Sequence, residues 1–165
     1  MPTVYVDLDG VLADFTGAIE KGMGCVPSPT KASNMWKYIK DYDTNIGPFF
    51  ESLELCSDAM ELWVYLTTNF DDVRILTASG KTPKDACDQK RKWVTERFGA
   101  DVTVHVVCHS MDKGAFAERN AILIDDRTIC TSTFSEKGGV SILHTSTPST
   151  IKQLETVMEL YFSHK

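Results

Sequence analysis

Five short apolar runs alternate with helix-type patterns along the chain, and this alternation limits the fold more than any other feature. The runs are "TVYVDLD" (3–9), "DVRILTA" (72–78), "DVTVHVVC" (101–108), "NAILIDD" (120–126) and "GVSILH" (139–144). They are rich in β-branched residues and bounded by turn formers, as strands are. Helical patterns fall at 14–24, 57–70, 82–99 and 147–162. In 57–70, Ala59, Leu62, Trp63 and Leu66 share one face at helical spacing. Asp14 is the expected N-cap of the first helix. Thr82, Pro83 and Gly99 are placed to cap and open the third, and Thr147-Pro148 to open the last. Such alternation predicts an α/β chain: a Rossmann-like, mostly parallel five-stranded sheet with helices on both faces.

Residues 25–56 break the pattern. They hold Pro27, Pro29 and Pro48 and the aromatics Trp36, Tyr38, Tyr42, Phe49 and Phe50. We read them as a small inserted cap with short helices, and residues 1–24 and 57–165 as the core. The length of 165 residues suits one such domain.

In open parallel sheets, ligands bind beyond the carboxyl ends of the strands. That rule gathers residues distant in sequence. Asp7 and Asp9 end the first run, Thr77 and Ser79 the second, Asp125 and Asp126 the fourth. Four carboxylates on one edge must share protons or recruit a cation. The set offers only oxygen, which suits magnesium better than zinc. Gly10 supplies a tight turn that lets the Asp9 carbonyl face inward. Lys90 falls in line with Ala86, Trp93, Val94 and Arg97 on its helix, the face expected to turn inward; the alternative is a lysine extending to solvent. Lys113, in "HSMDKG", follows the third strand and can reach the same edge. Acids, a magnesium ion and lysines together make a phosphate site.

Other readings fit worse. A calcium loop of the EF-hand type needs glycine at its sixth position, and here glycine is fourth. A receiver domain needs an aspartate after its third strand, where this chain has "VVCHS". No "GxSxG" accompanies a serine nucleophile. His105, His109, His144 and His164 lack ligand spacing and read as structural or surface residues. The five cysteines are odd in number and widely spaced, with no CxxC. They read as reduced thiols in a cytoplasmic setting. No signal-peptide pattern opens the sequence and no long apolar run is present, so no membrane role is expected. The net charge of −6 argues against gripping polymeric nucleic acid.

The motifs "DLDGVLADF", "ILTAS", a lysine thirteen residues after Thr77, and "ILIDDR" resemble those of the haloacid-dehalogenase-like phosphohydrolases. Within them, "KRKWVTERFG" makes the chain similar to the 5′(3′)-deoxyribonucleotidases, or type C 5′-nucleotidases. The resemblance implies Asp7 as nucleophile and Asp9 as general acid, then base. It implies phosphate binding by Thr77, Ser79 or the backbone between them, Lys90 and Lys113. Magnesium would be held by Asp125 and Asp126 with Asp7 and Asp9. Where the family has arginine two residues before the second lysine, this chain has Met111. The expected substrate is a small phosphomonoester, a nucleoside monophosphate read by cap aromatics, with Phe15 and Phe49 in its pocket. Alternatives are a phosphatase or phosphotransferase for another small phosphoester, and a phosphate-binding module without turnover.

Overall fold

The computed structural model describes residues 1–163; His164 lies outside them. The five expected strands form: β1 (Thr3–Val6), β2 (Asp72–Ala78), β3 (Val104–Val107), β4 (Ala121–Asp125) and β5 (Val140–Leu143). All pair in parallel, in the order β3-β2-β1-β4-β5. Strand β1 is central, and its neighbours on the two sides are the second and fourth strands. This is the switch point where such a sheet opens a crevice. Most strands end short of their apolar runs, because the polar residues at the run ends turn out of the ladder. The Asp7 N–H still donates to the Ile124 carbonyl at 3.0 Å, so the first acid leaves from a fixed point.

Side chains alternate between the sheet's faces. Val4, Val6, Ile75, Ile122 and Ile124 enter one core with Leu62, Trp93 and Leu154. Tyr5, Leu76 and Leu123 enter a smaller core with Cys130 and Phe134. The first is covered by α3 (Ala59–Asn69), α4 (Ala86–Phe98) and α6 (Thr147–Val157), the second by α5 (Thr128–Glu136). The buried face of α3 is the expected Ala59, Leu62, Trp63 and Leu66. A wider turn, Met158–Phe162, continues α6.

Three local expectations need correction. Helix α4 starts at Ala86, not at Thr82-Pro83: the Ala86 N–H donates to the Pro83 carbonyl in a turn that precedes the helix. Helix α5 has no counterpart in the sequence reading; its inward residues are Cys130, Thr131 and Phe134. The segment 25–56 is mainly one 14-residue helix, α2 (Ala32–Asn45), after a short turn at Pro29–Lys31, rather than several short helices. Asp14 does cap α1 (Phe15–Met23), accepting from the Gly17 N–H at 2.9 Å. Gly99 follows α4 as its C-cap.

Two paired stems join residues 12–14 to residues 54–56. The Asp14 N–H donates to the Glu54 carbonyl, and the Cys56 N–H to the Leu12 carbonyl, both at 2.8 Å. Helices α1 and α2 lie between these stems. The far end of the covering segment is tied down by Gln89 of α4, which is 2% exposed. Its amide donates to Asp43 at 2.7 Å and Asp85 at 3.0 Å, and its carbonyl accepts from the Phe50 N–H at 2.8 Å. A buried amide with these partners is satisfied, so it fixes α4 against α2 without an unpaired polar group.

Candidate active site

A cavity of about 710 Å³ opens at the carboxyl ends of β1, β2 and β4. Asp7, Asp9, Thr77, Lys113 and Asp126 line it, with Phe15 and Phe50 from the covering segment. Buried Asp125 and Lys90 stand behind this wall.

The charges are paired in two groups. Lys90 Nζ donates to Asp9 Oδ2 at 2.6 Å and to Thr77 Oγ1 at 3.2 Å. Its stem is 1% exposed, so the lysine runs inward rather than to solvent. Lys113 Nζ donates to Asp125 Oδ2 at 2.6 Å and lies 2.9 Å from Asp7 Oδ1. Helix α4 supplies the first lysine and the 3₁₀ turn Ser110–Phe116 the second. A buried lysine is costly unless paired and hydrogen-bonded. Each of these sits against carboxylates that need a cation equally.

The pairing leaves negative charge over. Carboxylate oxygens of Asp7, Asp125 and Asp126 lie within 4.8 Å of one another. Burial first, then Asp7, pushes the Asp125 carboxyl up to about 6, against the pull of Lys113. Asp126 keeps contact with solvent, yet burial of its carboxyl and the charges of Asp7 and Asp125 push it up to about 7. For Lys113, burial alone would lower the pKa; Asp7 and Asp125 outweigh it, and the ammonium is held above its ordinary range. An all-oxygen cluster with a surplus of negative charge fits a magnesium ion. The Asp9 carboxylate stands outside that cluster, turned to Lys90. Burial raises the Asp9 pKa, with Lys90 opposing, which favours a carboxyl that can carry a proton.

Gly10 is required here twice over. Its φ of 81° is a left-handed conformation, and a Cβ on it would fall 2.0 Å from Asp126 Oδ2. Any side chain would push Asp126 out of the cluster.

Two expected residues stand elsewhere. Ser79 turns its hydroxyl to the Gly80 carbonyl at 2.9 Å, and its N–H donates to Val107 at 2.8 Å. The β2 wall is instead made by Thr77, Ala78 and Gly80. Phe49 is 2% exposed and packs against Phe15, Tyr38, Tyr42 and Phe50. The ring on the wall is Phe50, 4.5 Å from Lys90 Nζ and stacked parallel to Phe15. In "GPFF" the sequence offered both rings, with no signal for which turns inward.

Trp36, one of the aromatics expected to cover the site, lines the cavity, and Met35, Val26 and Pro27 stand with it. Trp36 Cη2 would be 3.4 Å from a Cβ on Gly80, so α2 reaches across to the turn after β2. His109, Ser110 and Arg127 form the opposite side. Arg127 stood in the quoted "ILIDDR", directly after the paired acids.

No family model and no curated protein sequence matches the chain. Solved structures match it in shape. A hydrolase from Pseudomonas syringae is 13% identical with a TM-score of 0.55, over 94% of this chain and 90% of that one. A HAD family hydrolase from Deinococcus radiodurans, with bound phosphate and sodium, is 13% identical with a TM-score of 0.52, over 86% and 79%. The L-2-haloacid dehalogenase of Xanthobacter autotrophicus, with chloropropionic acid covalently bound, is 10% identical with a TM-score of 0.52, over 94% and 83%. The chain has the haloacid-dehalogenase fold. Within the described residues, no helix is long and apolar enough to cross a membrane.

Proposed function

We propose that this chain is a magnesium-dependent phosphomonoesterase that hydrolyses nucleoside or deoxynucleoside monophosphates through a phosphoaspartate. The observation that carries the reading is the meeting of two unlike walls in one cavity. Asp7, with its acid partner Asp9 and two buried lysines, faces aromatic rings at Phe15, Phe50 and Trp36. The fold similarity to hydrolases adds support for the class of chemistry, and the sequence resemblance for the type C 5′-nucleotidase group.

In this reading an oxygen of Asp7 attacks phosphorus and the ester P–O bond breaks. Asp9 gives its proton to the departing nucleoside oxygen. Asp9, now a carboxylate, takes a proton from water as that water attacks the phosphorus of the Asp7 acyl phosphate. Inorganic phosphate leaves and both aspartates return to their first states. Lys90 keeps Asp9 in line with the leaving oxygen and supports Thr77, which holds a phosphate oxygen. A magnesium ion held by Asp7, Asp125 and Asp126 would neutralise charge on the phosphoryl oxygens. Dispersed charge in the transition state then meets fixed positive groups rather than reorganising water. The segment between the paired stems serves as the cap, with Phe50 in the place expected for Phe49.

The test is phosphate release from a panel of nucleoside, sugar and amino-acid phosphates, with and without magnesium. The reading requires magnesium-dependent release and a preference for nucleotides. Full activity in excess chelator overturns the metal. Better hydrolysis of sugar phosphates overturns the nucleotide and leaves a phosphatase of another small ester.

A further inference from the structure

We infer that Arg127 is the residue that draws the substrate phosphate into this cavity and holds its outer oxygens. The inference rests on the phosphomonoesterase reading and adds a binding residue to it.

Arg127 differs from the other cations at the site in what it touches. Lys90 is paired with Asp9, and Lys113 with Asp7 and Asp125. Among the described residues, Arg127 makes no salt bridge. Its guanidinium donates to a neutral partner, Ser110 Oγ, at 2.6 Å, and it lines the cavity beside His109 and Asp126. Its main-chain N–H donates to Asp125 Oδ1 at 2.9 Å, which anchors the residue to the carboxylate cluster. Met111, where the resembled family has arginine, is 57% exposed and off the cavity wall.

The charge balance gives this arrangement its use. With Asp9 protonated as the acid, Asp7, Asp125 and Asp126 set against Lys90, Lys113 and a magnesium ion leave the group with only one positive charge. That is less than the charge of the phosphate dianion that must enter. Arg127 supplies a further positive charge, on the solvent side of the cluster. A guanidinium presents several N–H donors in a fixed fork, of which the hydroxyl of Ser110 occupies one nitrogen. The remainder suit two phosphate oxygens at once. Ser110 then sets the rotamer, so that less freedom is lost when phosphate binds.

The experiment compares wild type, Arg127→Gln, Arg127→Lys and Ser110→Ala with magnesium present. Three quantities are read: KM and kcat for a nucleoside monophosphate and for p-nitrophenyl phosphate, the thermal shift produced by inorganic phosphate, and the ionic-strength dependence of kcat/KM. A charge-assisted contact corresponds to about 10- to 100-fold in affinity. Arg127→Gln should raise KM for both substrates by that factor, weaken the phosphate-induced shift in parallel and flatten the salt dependence. Arg127→Lys should recover part of each, and Ser110→Ala should show a smaller loss of the same kind. Should Arg127→Gln leave KM, phosphate binding and salt dependence at wild-type values in an active phosphatase, Arg127 has only a structural bond to Ser110 and the inference is wrong. Equal loss of melting temperature in Arg127→Gln and Ser110→Ala, with unchanged salt dependence, refutes it in the same way. A wild type that neither hydrolyses phosphoesters nor responds to phosphate overturns the phosphomonoesterase reading itself, and the role of Arg127 with it.

Discussion

The edge of the sheet and the wall of the cap face each other across one cavity, and they are built on opposite principles. At the edge, Asp7, Asp9, Lys90 and Lys113 are tied by contacts of 2.6 to 2.9 Å, and the two lysines are almost fully buried. Moving any one of them strands a charge. On the wall, Phe15, Met35, Trp36 and Phe50 present carbon, and Trp36 remains 37% exposed. Carbon surfaces adapt to what they cover; paired charges do not. In the proposed reading, the edge fixes what is done to the ligand, and the wall what kind of ligand stays. Gln89 joins the two, since it holds the Phe50 backbone and sits next to Lys90 on α4.

The largest effects should come from the edge and should ignore the substrate's leaving group only where the nucleophile is lost. Asp7→Asn should bring turnover to background for every phosphoester while the melting curve stays cooperative. Asp9→Asn should cost about 10²- to 10⁴-fold for a nucleotide, the usual worth of a positioned acid. The loss should be smaller for p-nitrophenyl phosphate, whose leaving group needs little protonation. Mass spectrometry of enzyme quenched during turnover should find the phosphoryl group on Asp7. A phosphoryl group on another residue would break the assignment.

Next in size is the contrast between two lysines on one helix. Lys90 is buried against Asp9, whereas Lys92 is exposed and bonded to Glu51 at 2.8 Å. Lys90→Met should reduce kcat by about 10²-fold or more, as removal of an electrostatic stabiliser does. Lys92→Met should stay close to wild type, because exposed pairs contribute little. Similar, small effects from both would mean that the edge is less committed than its geometry implies.

Lys90 also marks how far the sequence could be read. The helical period put Lys90 in line with Trp93 and Val94, on the face expected to turn inward; strand ends put the acids together. Periodicity and the crevice rule carry that much because they depend only on backbone geometry. They fail where side-chain packing decides. "TICTSTFSE" has three small hydroxyl residues between its apolar ones, so the helix α5 was invisible: Cys130, Thr131 and Phe134 are inward only because β4 and β5 are there to receive them. Ser79 carries the right chemistry at the right strand end, yet its hydroxyl and N–H are taken up by the next turn and by β3. Arg127 has no pattern of its own, and its place becomes visible only when Ser110 is seen across from it.

On the wall, the comparison sharpens into neighbouring phenylalanines. Stacking of a base on an aromatic ring is worth about 1–3 kcal/mol. Phe50→Ala should therefore lower kcat/KM for a nucleotide by about 5- to 150-fold, and p-nitrophenyl phosphate should lose less. Phe49→Ala, at a site buried among four rings, should act first on stability, by about 3–5 kcal/mol. Parallel losses on both substrates from Phe50→Ala would reduce the wall to packing and leave specificity without a source.

The smallest effect separates the acids of the site from an acid that serves only the fold. Asp58 lies just past the cap stem, at the start of α3. Its carboxylate accepts the Thr147 N–H at 2.8 Å, and the Thr147 hydroxyl donates to the Asp58 carbonyl at 3.0 Å, so it pins the first turn of α6. Burial alone would raise its pKa; the hydrogen bonds from Thr147 outweigh that and hold it below the ordinary range. A folded pKa below the unfolded one means that the unfolded chain takes up the proton first. The stabilisation is thus complete above an unfolded value of about 3.9 and is lost as pH falls through the lower folded value. Asp58→Ala should cost about 0.5–2 kcal/mol at pH 7, the usual range for a helix cap. Thermal unfolding from pH 7 to pH 2.5 should show the gap between variant and wild type narrowing below about pH 4. Activity at pH 7 should be unchanged for both nucleotide and p-nitrophenyl phosphate, because Asp58 reaches neither wall. A substrate-selective loss would show that the stem transmits to the cap, and the division between an edge that reacts and a wall that selects would then have to include the hinge between them.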